Sequence, residues 1–518
     1  MYLFETVLAI LFGATVLSVL AKRIRVPYPT LLAVGGALVA FVPGIPRIDL
    51  PPDLVLALFV APVLLDAAYD TSLRDLRKNW QAVVSLVVVA VGLTTVAVAF
   101  TARMLFPDFP WAAALALGAL LAPPDAIAAL AVMRQVNPPF RIRKVLEGES
   151  LLNDASALLI YTLAVGAVTG GGFSVAGVLP TFLLTVFGSI AVGWVLVWPI
   201  SWLIGRIDDA PTAVIFQFVF TFAVWLLAEH LGLSAVVTVV VFGLTSGRRT
   251  AEVLSAHLRV PTFAVWDAVT FTLNILAFTL IGLQLGPILE PLNGAALRRQ
   301  LLAALVILAV VIVVRLLWAL MYVLLKGGVH RSSDARRSSP AMSSSAAKSG
   351  LVIGWSGMRG IVTLATALAL PEGFPYRDFI QLTAYAVVLG TLVIQGLTLR
   401  PLLLWLKLPP DHTVETETNL ARSAALKAGM RTLDHHAVPA AQRLREEYRA
   451  ALSITRTGGD LSSSPDNALR REVLGSSRAA IEDLRRADII GDDAYRQVEA
   501  ELDVLELMAG TTPRSSEP

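Results

Sequence analysis

The chain has 518 residues, of which 56% are hydrophobic and 16% charged, with a formal net charge of +3. That balance places it in the membrane class. It has no cysteine, which excludes disulfides, thiolate metal sites and thiol nucleophiles. Its six histidines are scattered.

Apolar segments recur from residue 2 to about 405 and then stop. Thirteen have the length and composition of membrane spans, at about 20 residues per crossing. They are predicted near 2–20, 29–44, 53–71, 81–105, 111–133, 144–169, 177–204, 211–230, 232–247, 262–286, 298–325, 350–370 and 376–405. The first, MYLFETVLAILFGATVLSVLAKR, lacks a basic leader and a small-residue cleavage site. It reads as a retained span, not a signal peptide. The third carries Asp66 and Asp70, the tenth Asp267 and the eleventh Arg315. Helix packing or snorkelling is the default expectation for Asp267 and Arg315.

The fifth span contains LLAPPDAIAAL and the twelfth GWSGMRGIVTLA. Both are interrupted by Pro or Gly and both carry a charge. Interrupted segments at matching positions are the best sequence pointer to a transport site. Spans one to six set against eight to thirteen make an inverted repeat, because an odd offset of seven reverses the direction of each partner. The predicted fold is therefore an all-α polytopic membrane protein with six-helix halves and broken crossing helices.

Lys and Arg set the orientation. One set of alternate loops holds roughly 19 of them, from Lys22, Arg23 and Arg25 to Lys348, and the opposite set holds roughly 5, including Arg47 and Arg103. The expected N-terminus is outside and the tail inside. Residues 406–518 form a second, charged domain, with apolar residues at helical spacing in ALRREVLGSSRAAIEDLRRADII. TRTGGDLSSSPDN breaks it into at least two helical parts, and TTPRSSEP is expected to be disordered. HRSSDARRSSPAMSSSAAKSG, residues 330–350, reads as a flexible linker.

The sixth span opens with GESLLND, which places Glu149, Ser150, Asn153 and Asp154 at the head of a membrane-length apolar helix. A carboxylate in mid-bilayer costs about 2.5–3.5 kcal/mol even on the lenient insertion scale. Ser150 and Asp154 share a helical face, and Glu149 and Asn153 share the neighbouring one. A hydroxyl one turn from a carboxylate suits cation capture by oxygen. The plainer alternative for Asp154 is a protonated or ion-paired structural acid, and for Ser150 a backbone-bonded hydroxyl. No Walker loop, Rossmann fingerprint or zinc-type His spacing accompanies these residues. ATP-driven transport, a bound cofactor, enzymatic activity and nucleic-acid binding are not expected.

GESLLND resembles the signature of the cation:proton antiporter-1 family, the sodium/proton exchangers. APVLLDAAYD (61–70), LLAPPDAIAAL, FTLNILAFTLIGLQL (271–285) and GWSGMRGIVTLATALALP (354–371) are similar to four more of the family's segments, in order over residues 1–405. The third-span motif more often has Glu where this chain has Asp66, and the usual Thr-Asp-Pro of the fifth is Pro124-Asp125-Ala126 here. The resemblance implies that Asp154, Ser150 and Asp66 ligate the transported Na+, with Asp125 and Asn153 at the same site. It pairs Glu149 with Arg359 as a structural ion pair, and it implies a homodimer in the cytoplasmic membrane that uses the inward proton gradient to expel sodium for pH and sodium homeostasis. Some related antiporters have a second Asp where this chain has Asn153. One titrating acid implies exchange of one cation for one proton, hence electroneutral. The same residues leave K+ or Li+ open, and a cation channel or a proton-coupled solute carrier stands as a rival class. The tail is regulatory on this reading, or a partner-binding or dimerising module.

Overall fold

The computed structural model describes residues 2–42, 51–136, 138–169, 175–253, 256–290, 294–333, 340–409, 411–436, 438–456, 465–487, 489 and 492–509. Within the predicted linkers and tail breaks, Arg47, residues 334–339 with Arg336 and Arg337, residues 457–464 and TTPRSSEP lie outside them. The described residues contain helices and no strand. A bilayer demands this, because a helix satisfies its own backbone donors and acceptors where no water can. Contacts divide the chain into two units, Met1–Pro410 and Asp411–Pro518.

In the first unit every predicted span coincides with a helix or with a broken pair of helices. Among the described residues, ten helical segments, running from Phe4–Arg23 to Arg377–Leu406, are long and apolar enough to cross a membrane. Tyr28–Val39 is apolar but only 12 residues long. Two spans are broken. Trp111–Leu121 stops before Pro123 and Pro124 and restarts as Ala126–Met133. Pro340–Trp355 unwinds through Ser356–Gly360 and restarts as Ile361–Leu368. Proline removes a backbone donor and clashes with the preceding turn, which accounts for the first break. Two π-helical turns, Leu56–Val60 and Ser85–Ala90, lie inside Pro52–Tyr69 and Trp80–Leu105.

The Ser-rich stretch at 330–350 departs from its reading as a linker. Gly294–Ser333 runs into it from one side and Pro340–Trp355 begins within it on the other. Ala and Arg are good helix formers, and the neighbouring span extends the helix on each side.

Small residues let the helices approach closely, as membrane interfaces require. Tyr28–Val39 lies against Ala256–Leu283 through Gly36 and Gly282. A Cβ on Gly282 would stand 2.6 Å from Ala37 N and 2.7 Å from Gly36 Cα. Backbone cannot yield to that contact as a side chain can. Phe106, Phe109 and Phe379 fill one core cluster, with Phe106 and Phe379 ring centres 4.8 Å apart. Phe4, Phe12, Leu184, Phe187 and Trp405 stay exposed on the unit's surface. An apolar surface of that extent is at odds with water and suits lipid.

In the second unit, Thr413–Leu433 packs with Pro439–Arg456, and Pro465–Arg486 with Asp492–Ala509. Few apolar side chains are buried here, Leu452 and Leu474 among them. Arg478 bonds Glu506 at 2.6 Å and also Asp503, while Arg470 bonds Glu447 at 2.8 Å. Exposed pairs of this kind contribute about 0.2–1 kcal/mol each.

Gly282→Leu is expected to force Ala256–Leu283 away from Tyr28–Val39. The check is size-exclusion chromatography and a thermal unfolding scan in mild detergent. The expected result is aggregation or a fall in Tm, with Gly166→Ala, where a Cβ meets nothing within 4 Å, as the tolerated control.

Candidate functional site

The two helix breaks face each other. Asp125 N donates to Met358 O at 2.6 Å, so one break is tied directly to the other through backbone. The Asp125 carboxylate accepts from Ile127 N at 2.8 Å and caps the N-terminus of Ala126–Met133. A carboxylate there complements the positive end of the half-helix. Gly360 is packed against that carboxylate, and a Cβ would fall 2.6 Å from Asp125 Cγ.

Arg359 occupies the opposite polarity. Its Nε donates to Leu121 O at 3.0 Å, its Nη2 to Ala122 O at 3.3 Å, and its Nη1 to Gly357 O. Its own N–H donates to Thr391 Oγ1 at 3.0 Å. The guanidinium therefore serves carbonyls that the two breaks leave without helical partners. It is fully buried.

The helix Phe140–Thr169 brings GESLLND to this crossing. Asn153 Nδ2 donates to Pro124 O at 2.9 Å. Ser150 Oγ accepts from Ala126 N at 3.3 Å. Both side chains thus hold the fifth-span break. Asp154, only 8% exposed, faces a cavity of about 900 Å3. That cavity is also lined by Ser150, Asp66, Asp125, Pro124 and Gly360. Four of the five predicted ion-site residues therefore share one space, and Asn153 supports it from behind. Asp70 and Asp267 line the same cavity, together with Lys22, Arg134 and Lys144.

The predicted ion pair of Glu149 with Arg359 is corrected. Glu149 is 1% exposed and is gripped by Arg315, with Nη1 to Oε1 at 2.5 Å and Nη2 to Oε2 at 2.8 Å. The reason is geometric. Glu149 precedes Ser150 by one residue, which turns it about 100° from Ser150's cavity-facing direction. It meets the helix Gly294–Ser333, where Arg315 sits. Arg359 is already committed to carbonyls at the break. The two guanidiniums converge at Gly357, where a Cβ would meet Arg315 side-chain atoms and, at 3.0 Å, Arg359 Nη1. Sequence reasoning left Arg315 unassigned. The signal was present: Arg315 stands in the middle of an apolar span, and a buried Arg needs a partner.

The arrangement offers oxygen, not nitrogen or sulfur. It presents a carboxylate on Asp154, further carboxylates on Asp66 and Asp125 and a hydroxyl on Ser150. Among the described residues no three His, Cys, Asp or Glu stand close enough to hold a metal ion together. A dense carboxylate cage for a divalent cation is therefore not what these residues build. A few carboxylates that do not converge, with a hydroxyl beside Asp154, suit a hard monovalent cation held briefly.

Comparison with known proteins agrees with this geometry. The family described as "Sodium/hydrogen exchanger, transmembrane" matches residues 7–405. An uncharacterized Na+/H+ exchanger of Mycobacterium tuberculosis is 30% identical over 97% of this chain and 95% of its own length. The Na+/H+ antiporter ApNhaP of Aphanothece halophytica is 30% identical over 90% of this chain and 86% of its own. A sodium, potassium, lithium and rubidium/H+ antiporter of Bacillus pumilus is 30% identical over 82% of this chain and 64% of its own. In fold, the chain is similar to the sodium proton antiporter MjNhaP1 of Methanocaldococcus jannaschii, with a TM-score of 0.62 at 18% identity, over 79% of this chain and 99% of that one.

The corrected pairing has a direct consequence. Arg315→Met strands the Glu149 carboxylate, at a cost of about 3–5 kcal/mol. The expected result is a large fall in Tm or yield in detergent, with partial recovery in Glu149→Gln/Arg315→Met. Glu149 and Arg359 substitutions should show a much smaller coupling in the same double-mutant cycle. Equal coupling of Glu149 to both arginines would contradict the assignment.

Proposed function

The chain belongs to the sodium/hydrogen exchanger family, and we propose that it expels cytoplasmic Na+ in exchange for external H+, one for one. The observation that carries this reading is Asp154, a buried acid on the wall of a cavity shared with Asp66, Asp125 and Ser150. A carboxylate binds either a proton or a cation, so one group couples the two fluxes. Asp154, Ser150 and Asp66 are the proposed ligands of the transported Na+. Asp125 and Asn153 act by holding the broken helix in place. Asn153 cannot titrate and bonds a carbonyl, which leaves Asp154 as the exchanging acid of its pair and supports an electroneutral cycle.

The proposed setting is the cytoplasmic membrane, with the N-terminus outside and residues 411–518 inside. The loop charges support that orientation. Thirteen crossings arranged as an inverted repeat accommodate the two broken helices at matching positions. Alternating access moves the crossing pair and Phe140–Thr169 against the remaining helices. A homodimer, a regulatory tail and a role in pH and sodium homeostasis complete the proposal. A second reading keeps the mechanism and changes the cation to K+ or Li+. It is favoured by the B. pumilus relative, whose name covers four cations, and by a cavity too large to select by size.

The test is exchange in proteoliposomes carrying a trapped pH dye, with the voltage clamped at zero. Na+ should drive proton flux, and Asp154→Asn should abolish it while leaving the protein folded. The apparent Michaelis constant for Na+ should rise as pH falls, with a slope of log constant against pH approaching about minus one below the site's pKa, as expected for one proton competing with one cation. Solid-supported-membrane currents should stay at background. Exchange in Asp154→Asn near the wild-type rate would overturn the site. A slope near minus two with a robust Na+-induced current would overturn electroneutrality, with Asp66 the next acid to test.

A further inference from the structure

The helix Val175–Ile204 carries Trp194, Trp198 and Trp202 on successive turns of one exposed face. Four residues of helix set neighbouring rings about 6 Å apart along the axis. The Trp194 ring meets the Trp198 ring edge-on, with centres 6.2 Å apart. Past the helix end the chain turns back. Arg206 N donates to Leu203 O at 3.1 Å, and the Arg206 guanidinium carbon lies 3.7 Å from the Trp202 ring centre. A second arginine arrives from another helix. Ala235–Val253 packs on Val175–Ile204 so closely that a Cβ on Gly193 would stand 2.5 Å from Thr238 O. It carries Arg249, whose guanidinium carbon lies 3.8 Å from the Trp198 ring centre. Two guanidiniums therefore stand over adjacent turns of one exposed aromatic face.

Two observations say that an anion with acceptor oxygens belongs there. First, among the described residues neither guanidinium has a carboxylate for a partner. Asp209 stands three residues beyond Arg206, but it accepts from Thr212 N at 2.9 Å and caps Ala210–His230. Arg248, beside Arg249, is exposed and adds to the positive charge. Second, the indole N–H groups are unspent. Trp225, Trp266, Trp318 and Trp355 each donate to a side chain. Among the described residues Trp198 and Trp202 donate to none. Hydrocarbon cannot accept those bonds, whereas phosphate and ester oxygens at headgroup depth can.

We propose that Arg206 and Arg249 hold the headgroup of an anionic phospholipid, with one acyl chain lying along Trp194 and Phe187. Cation–π contact with an indole positions each guanidinium and leaves N–H groups for phosphate oxygens. An ammonium in its place would lack that planar fork. Charge argues for lipid and against a second copy of the chain. An isologous contact centred on Trp202 would set each arginine against its own kind. This end belongs to the arginine-rich set of loops, where a negative leaflet surface attracts basic residues. The bound lipid bridges Val175–Ile204 to Ala235–Val253. None of these residues lines the Asp154 cavity, so the site does not depend on which ion the protein exchanges.

The test is native mass spectrometry of the full chain in detergent, with dioctanoyl-phosphatidylglycerol as the probe. Dioctanoyl-phosphatidylcholine supplies the same chains without net charge, and glycerol phosphate the anion without chains. Saturable binding is expected for phosphatidylglycerol at concentrations where the other two leave no adduct. Arg206→Gln and Arg249→Gln should each weaken it about fivefold, the effect of one basic residue at a charged surface. Trp202→Leu keeps the face apolar but removes the ring beneath Arg206. It should also weaken binding, and it serves if an arginine variant fails to fold. Arg298→Gln, at an exposed arginine of the opposite loop set, should leave binding unchanged. Equal binding of phosphatidylcholine would overturn the proposal, because the face would then be an apolar seat only. Equal binding of glycerol phosphate would overturn it in favour of a free anion. An equal loss in Arg298→Gln would mean unspecific attraction, and the absence of any adduct would mean that something other than lipid covers the face.

Discussion

The structure turns on one crossing. Two helices are unwound inside an apolar bundle, which exposes backbone groups that lipid cannot satisfy. The chain resolves this by opposing the two breaks and assigning each end a side chain of suitable charge. Asp125 caps the N-terminal end at Ala126–Met133, and Arg359 gathers the carbonyls at Leu121, Ala122 and Gly357. The Asp125 N–H to Met358 bond joins the two breaks. The polar residues around Asp154 are positioned from this junction. Asn153 and Ser150 attach Phe140–Thr169 to it, and that attachment sets Asp154 on the cavity wall.

The Glu149–Arg315 pair acts at one remove. It fixes the helix that carries Asp154 to Gly294–Ser333, with both charges buried and bidentate. Such a pair adds little net stability, since desolvating two ions opposes their attraction. Its effect is on orientation. The rotation of Phe140–Thr169 decides whether Asp154 faces the cavity or a neighbouring helix, and Glu149 sets that rotation one residue from Ser150. Thr391, from Arg377–Leu406, adds a bond to the Arg359 backbone, so the second break is fixed from outside the crossing as well.

Much of this was legible in the residues. Pro123-Pro124 and the glycines at 357 and 360 announced the two breaks, and the GESLLND string placed an acid where only a function or a partner justifies it. Asp154, Asp66, Asp125 and Ser150 do line one cavity. The partner of Glu149 was not legible. Arg315 and Arg359 both lay in apolar spans, and choosing between them requires the rotation of one helix and the carbonyl demand of a break, neither of which periodicity reports. The π turns in Pro52–Tyr69 and Trp80–Leu105 leave no mark on an apolar run. The Ser-rich stretch misled for the opposite reason. Its composition suits a linker, yet helices continue into it from both sides.

The central claim is that one carboxylate holds either a proton or a cation. Proton release on Na+ binding tests it at equilibrium, without transport. Calorimetric titration of the purified protein with Na+, in two buffers of different ionisation enthalpy, gives the number of protons released per ion bound. The account predicts a value approaching one as pH falls below the site's pKa, and loss of both Na+ binding and proton release in Asp154→Asn. Na+ binding that releases no proton at any pH, or that persists with proton release in Asp154→Asn, would contradict it.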